Sequence, residues 1–195
     1  MIMPIFRVRD YASSDRDSWL RCRLLGFFET DYYDDVWTER PDYERPAIRL
    51  VAVDGATVIG ILDLVVDGEL ATIETVVVHP DARGQGIASA LLGQALQRLP
   101  IQAGRVDAWT REDRAANAWY RRAGFREDHR YLHVYLGPGE SRAGFSTPDE
   151  LDGPMHAFLH ARIEDEDRLR ARFRRVYVCR RYVLDTDQGR TRTRG

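Results

Sequence analysis

Residues 71–92 read ATIETVVVHPDARGQGIASALL, and the order of their parts decides how the rest of the chain is read. Residues 73–78 are dense in β-branched side chains and short enough for a buried strand, which Pro80 and Asp81 end. Gly84 and Gly86 then allow a tight backbone turn with no Cβ to hold a ligand away. From Ile87 to Leu99 the apolar positions Ile87, Leu91, Leu92, Ala95, Leu96 and Leu99 recur at helical spacing, so the turn opens a helix. Unpaired N–H groups and the positive end of the helix dipole converge there, a cradle suited to a pyrophosphate, with Arg83 at its mouth. A P-loop would need a lysine, and the chain has none. A dinucleotide fingerprint fits Gly84 and Gly86 but meets Ser89 in its third place; its acidic residue would be Asp107, about 20 residues on. A third pattern, Arg-x-x-Gly-x-Ala, is met by Arg83, Gly86 and Ala88.

A second block follows. Residues 105–110 form a strand pattern, and 114–124 (RAANAWYRRAG) a short helix closed by Gly124 before a strand opening at Phe125. With Asn117, the Trp119-Tyr120 pair and Gly124-Phe125 standing in order behind the glycine turn, the chain resembles the GCN5-related N-acetyltransferases (GNAT). The resemblance covers residues 5–136, about two-thirds of the chain. It implies an α/β (α+β) fold, a mixed central sheet with helices on both faces, and acetyl-CoA as acetyl donor. It further implies that Val76, Val77 and Val78 face the pantetheine and thioester, and that Arg83, Gly84, Gln85, Gly86, Ile87, Ala88 and Ser89 cradle the pyrophosphate. Asn117 would bond the donor or cap its helix, and Tyr120 would be the general acid that protonates the leaving thiolate.

The chain has 195 residues, enough for one domain with an elaboration. Its net charge of −2 carries no nucleic-acid signal, and with 29 arginines for its basic residues it excludes lysine-based chemistry. Cys22 and Cys179 lie far apart without metal spacing and read as buried thiols of a reducing, cytoplasmic setting. No run approaches the roughly 20 apolar residues of a membrane span, and the start of the chain carries no signal-peptide pattern. His129 with His133, and His156 with His160, are spaced four apart, but Tyr131, His133 and Tyr135 alternate with Leu132, Val134 and Leu136 as on a strand, so no metal site is expected.

Ahead of the central block, residues 5–8 read as a strand, Ser13 or Ser14 as the cap of a helix reaching Phe28, and residues 30–46 as an irregular, aromatic and acidic stretch. Asp54-Gly55 and Asp67-Gly68 are hairpin turns between strands. Residues 1–136 are therefore the acetyltransferase core, and 137–172 an insertion with a Gly/Pro/Ser-rich loop, a strand and a short charged helix. Residues 173–186 form the final strand that completes the core, and 187–195 a disordered tail. The alternative is a separate dimerisation arm; an added strand would offer a homodimer edge.

Acetyl transfer needs a held thioester, a polarised carbonyl, a neutral amine and a proton for the thiolate. Strict alternation would put Glu74, Val76 and Val78 on one face and Ile73, Thr75 and Val77 on the other, making Glu74 a candidate base for the amine. For the acceptor, Glu29, Asp31, Asp34 and Asp35 interleave with Phe27, Phe28, Tyr32, Tyr33 and Trp37, a mouth suited to a cationic amine; Glu29, Asp31, Tyr33 and Asp34 are the candidate contacts. The leading expectation is direct transfer to a primary amine in a ternary complex. A non-catalytic acyl-CoA sensor of the same fold is the alternative.

Overall fold

A computed structural model describes residues 6–186. The elements run β1 Arg7–Asp10, α1 Arg16–Phe28, β2 Ala47–Asp54, β3 Thr57–Asp67, β4 Leu70–Val78, α2 Ile87–Gln97, β5 Arg105–Thr110, α3 Arg114–Arg122, β6 Arg126–Leu136, β7 Ala157–Ala161, α4 Glu166–Arg172 and β8 Arg175–Asp185. The eight strands form one mixed sheet in the order β1-β2-β3-β4-β5-β8-β6-β7. Every neighbouring pair is antiparallel except β4 with β5. A doubly wound parallel sheet is therefore absent, which removes the dinucleotide reading of the glycine turn. The expected tail, 187–195, and Ile5 of the expected first strand lie outside the described residues.

Helices cover both faces. On one, α2 and α3 bury Leu62, Leu64, Ile73, Leu91, Val106 and Tyr120, and farther along α4 closes over Leu132, Val134, Val176 and Val178. On the other, α1 presses Trp19 and Cys22 onto Val51, Ile61 and Val77. Gly60 on β3 makes room for the first residue of α2, since a Cβ there would stand 2.5 Å from Ile87 Cγ2. Neither Ser13 nor Ser14 caps α1. Asp15 does the local work instead, its carboxylate accepting the Ala12 N–H at 2.8 Å and the Arg9 guanidinium at 2.6 Å, while Ser18 Oγ accepts the Val58 N–H.

Two features place the site. The β4–β5 pairing ends at Ile73↔Ala108, so beyond that point the two strands part and leave a cleft. In the β3–β4 ladder Asp63 pairs with Thr75 and Leu64 with Ile73, which leaves Glu74 as the extra residue of a β-bulge. The bulge overturns the strict alternation expected along β4: Ile73 joins Val76 and Val78 on the α2 face, and Val77 packs with α1 on the other. Both cysteines are free and buried, and burial pushes their thiols up to about 12 and about 11. Among the described residues no helix is long and apolar enough to cross a membrane.

Candidate active site

At the end of β4 the Pro80–Ala82 turn stops the strand, with His79 Nδ1 accepting the Asp81 N–H at 3.3 Å. Gly84 and Gly86 then take φ of +78° and +79°, left-handed values costly for any residue with a Cβ. No backbone or side-chain partner among the described residues takes the N–H groups of residues 84–89. They open toward a cavity of about 580 Å³ walled by β4 from Ile73 to Val78, by the turn itself, by the parted end of β5, and by Ala116, Trp119 and Tyr120 of α3. Gln85, whose side chain was expected among the cradle residues, is absent from that lining. Trp119 Nε1 donates to Ser89 Oγ at 3.2 Å and so ties α3 to the first turn of α2. Arg83 is less free than its position in the sequence implied. Its guanidinium donates to the Gly26 carbonyl at 2.9 Å and lies 3.5 Å from Glu29, which fastens the turn to the end of α1.

Tyr120 projects from α3 into the floor of the cavity at 4% exposure. Its ring stacks on Tyr182 of β8 (5.2 Å, 10°) and takes the edges of Phe125 (5.3 Å) and Trp119 (4.9 Å), while its hydroxyl has no hydrogen-bond partner among the described residues. Burial raises its pKa, so the phenol keeps its proton at neutral pH. The amide of Asn117 is bonded within the protein. Its Nδ2 donates to the Arg111 and Asp113 carbonyls at 2.7 and 2.6 Å and its Oδ1 accepts the Tyr182 hydroxyl at 2.9 Å, so the whole amide is used to lock the start of α3 to β8.

Glu74 turns its carboxylate to the cavity from the bulge and makes no hydrogen bond or ion pair with the described residues. Its pKa is raised, first by partial burial and then by the carboxylates of Asp107 and Asp63. Those neighbours are held elsewhere. Asp107 accepts from Thr72 Oγ1 and Arg181 Nε, both at 2.7 Å, and the fully buried Asp63 pairs with Arg40 at 2.7 Å.

Residues 46–127 match the family model of the acetyltransferase (GNAT) domain. That match spans the glycine turn, Glu74 and Tyr120 and makes this stretch similar to a GNAT domain. Its fold is similar to that of the ribosomal-protein-S18-alanine N-acetyltransferase from Escherichia coli, at 16% identity and a TM-score of 0.59, over 93% of this chain and 94% of that one. It is likewise similar to the PaiA N-acetyltransferase from Thermoplasma acidophilum in complex with coenzyme A, at 15% identity and 0.52, over 63% and 91%. A GNAT acetyltransferase from Staphylococcus aureus Mu50 gives 15% and 0.57, over 93% and 99%. No curated protein matches the sequence.

On the α1 side of the cavity the acidic loop differs from expectation. Of Glu29, Asp31, Tyr33 and Asp34, only Glu29 lines the cavity, and it faces Arg83. The Asp31 carbonyl accepts from Arg111, and burial beside Glu112 and Asp113 raises the pKa of its carboxyl. Asp34 pairs with Arg175 at 2.7 Å, whose guanidinium lies 4.6 Å above the Tyr33 ring. Asp35 accepts from Arg23 at 2.7 Å and from Trp37 Nε1 at 3.0 Å. Glu29, Asp34 and Asp35 are thus each paired with an arginine, while the Asp31 carboxyl has no ion pair among the described residues, and Phe27, Tyr32, Trp37 and Trp109 contribute rings to the cavity wall. The histidines of β6 and β7 join a row of aromatic rings, and among the described residues no group of three or more potential ligands gathers to hold a metal ion.

Proposed function

We propose that this chain transfers an acetyl group from acetyl-CoA to a primary amine by direct attack in a ternary complex. The observation that carries the proposal is one cavity holding an unpartnered carboxylate, an unpartnered buried phenol and a run of free N–H groups, at Glu74, Tyr120 and residues 84–89. The pyrophosphate lies against those N–H groups at the start of α2, where the helix dipole favours anions. The pantetheine enters the cleft between β4 and β5 along Val76, Val77 and Val78, whose backbone no longer pairs with β5.

In the transfer, Glu74 takes a proton from the ammonium form of the acceptor, directly or through a water. The nitrogen lone pair adds to the thioester carbonyl, the C–S bond breaks as Tyr120 gives its proton to the departing sulfur, and the second proton of the acylated nitrogen passes through water to restore the Tyr120 phenol, while Glu74 releases the first to solvent. The dry wall that raises the pKa of Tyr120 also disfavours a free thiolate, so donor and leaving group shift together and proton transfer stays matched. The test is thiol release over an amine panel, with acetyl-CoA affinity followed separately by thermal shift. Turnover on at least one amine is expected. Tight acetyl-CoA binding with no turnover on any amine would favour a sensor of the same fold.

A further inference from the structure

The face of the sheet that α1 leaves uncovered carries a row of rings. Trp109 of β5, 40% exposed, lines the catalytic cavity with Glu74 and Tyr120. It also meets the edge of Tyr131 on β6 at 5.3 Å and of His129 at 6.2 Å. Strand β8 runs between them, and opposite Tyr131 it presents the small Cys179, over which the two rings can approach. Tyr131 then meets His160 of β7 at 4.7 Å, and His160 meets Phe158 at 5.1 Å. His160 and Phe158 are exposed, and Phe158 lies half open to solvent. Tyr131, His129 and His160 line a second, open cavity of about 830 Å³. The ring row therefore joins the two cavities across three strand spacings, roughly 14 Å.

The charges beside the row are already matched. Asp107 and Asp128 both face Arg181, at 2.7 and 3.4 Å, and Glu127 lies 2.6 Å from Arg130. Glu29 and Asp35 at the cleft are paired with arginines and Asp113 accepts the Ala116 N–H, so among the carboxylates lining the cavity Glu74 is the one with no hydrogen bond or ion pair among the described residues, a match for one ammonium group and a poor one for a polycation. The ring faces beyond it offer stacking and edge contacts, which select for a planar π-system over an aliphatic chain of equal area.

We propose that the acceptor is a monoamine with a planar aromatic ring, its nitrogen at Glu74 and its ring on Trp109 and Tyr131. The inference rests on the N-acetyltransferase reading of the same cavity. Phenethylamine, hexylamine and spermidine separate the alternatives, with thiol release measured at saturating acetyl-CoA and phenethylamine binding measured by calorimetry in the presence of CoA. The expected kcat/KM for phenethylamine exceeds that for hexylamine or spermidine about tenfold. That ratio falls toward one in Trp109→Ala and in Tyr131→Leu, with acetyl-CoA affinity retained as the measure of an intact fold. Equal or better use of spermidine or hexylamine overturns the ring proposal and leaves the acetyltransferase intact, as does a preference that survives both substitutions. Saturable phenethylamine binding, lost in both variants, with no turnover of any amine overturns the catalytic reading and leaves the ring site standing.

Discussion

The phenol of Tyr120 is fixed by three rings, and its hydroxyl contributes nothing to that packing. Tyr120→Phe is therefore expected to keep acetyl-CoA affinity within about twofold while lowering kcat by on the order of 100-fold, the usual worth of a positioned acid. Unchanged turnover at saturating acceptor would remove it from the acid role. Glu74 carries the pH dependence. A carboxyl raised above its ordinary value stays protonated, and inactive as a base, to higher pH, so the acidic limb of kcat/KM lies above the usual carboxylate range. Asp107→Asn removes one of the charges that raise it and leaves Arg181 with Asp128 as its partner, so the limb moves to lower pH; a limb that stays in place, or moves up, would show that Glu74 does not set it. Tyr120 and the two glycines were legible in the sequence because their neighbours along the chain define them. The pairing of the acidic loop with arginines was not, because Asp34 finds Arg175 141 positions away and no local pattern announces that pairing.

Elements meet in this fold through glycines that a helical or strand pattern would not call for. Gly26 brings α1 against β4: a Cβ there would lie 2.3 Å from Val77 Cγ1 and 3.2 Å from the Val78 carbonyl, inside a packed core. Gly26→Ala is expected to destabilise the protein by about 1–3 kcal/mol and to weaken acetyl-CoA binding, since the same residue's carbonyl holds Arg83. Gly93, by contrast, sits on the exposed side of α2 with nothing within 4 Å of a built Cβ. Gly93→Ala should raise stability by about 0.5–1 kcal/mol through helix propensity alone. Thermal melts of the two variants check both, and a neutral Gly26→Ala would mean that α1 can slide away from β4. The strands and helices themselves were legible from periodicity and turn residues. The bulge at Glu74 was not, because it arises from the register of β4 against β3 and no residue in β4 marks it, yet it decides which side chains face the cofactor cleft.

At the scale of the molecule, the strand that comes last in sequence does not extend the sheet but enters it. β8 lies between β5 and β6, bonded on both sides, with Tyr182 stacked under the candidate acid and hydrogen-bonded to Asn117. The segment before it, residues 137–172, supplies β7, a five-residue edge strand, and α4. The core that holds Tyr120 is therefore expected to close only once residues 175–185 have paired, as one cooperative unit with the first half of the chain. Amide exchange follows from this arrangement. The β8 amides should exchange only with global unfolding, as slowly as those of β3, while β7 opens early because one of its edges is free. Exchange of residues 175–185 well ahead of β3 would instead describe a separable arm laid against a finished domain. Adding acetyl-CoA should slow exchange most in residues 84–89, whose N–H groups have no partner among the described residues, and protection spread evenly over the sheet without that local maximum would place the donor elsewhere.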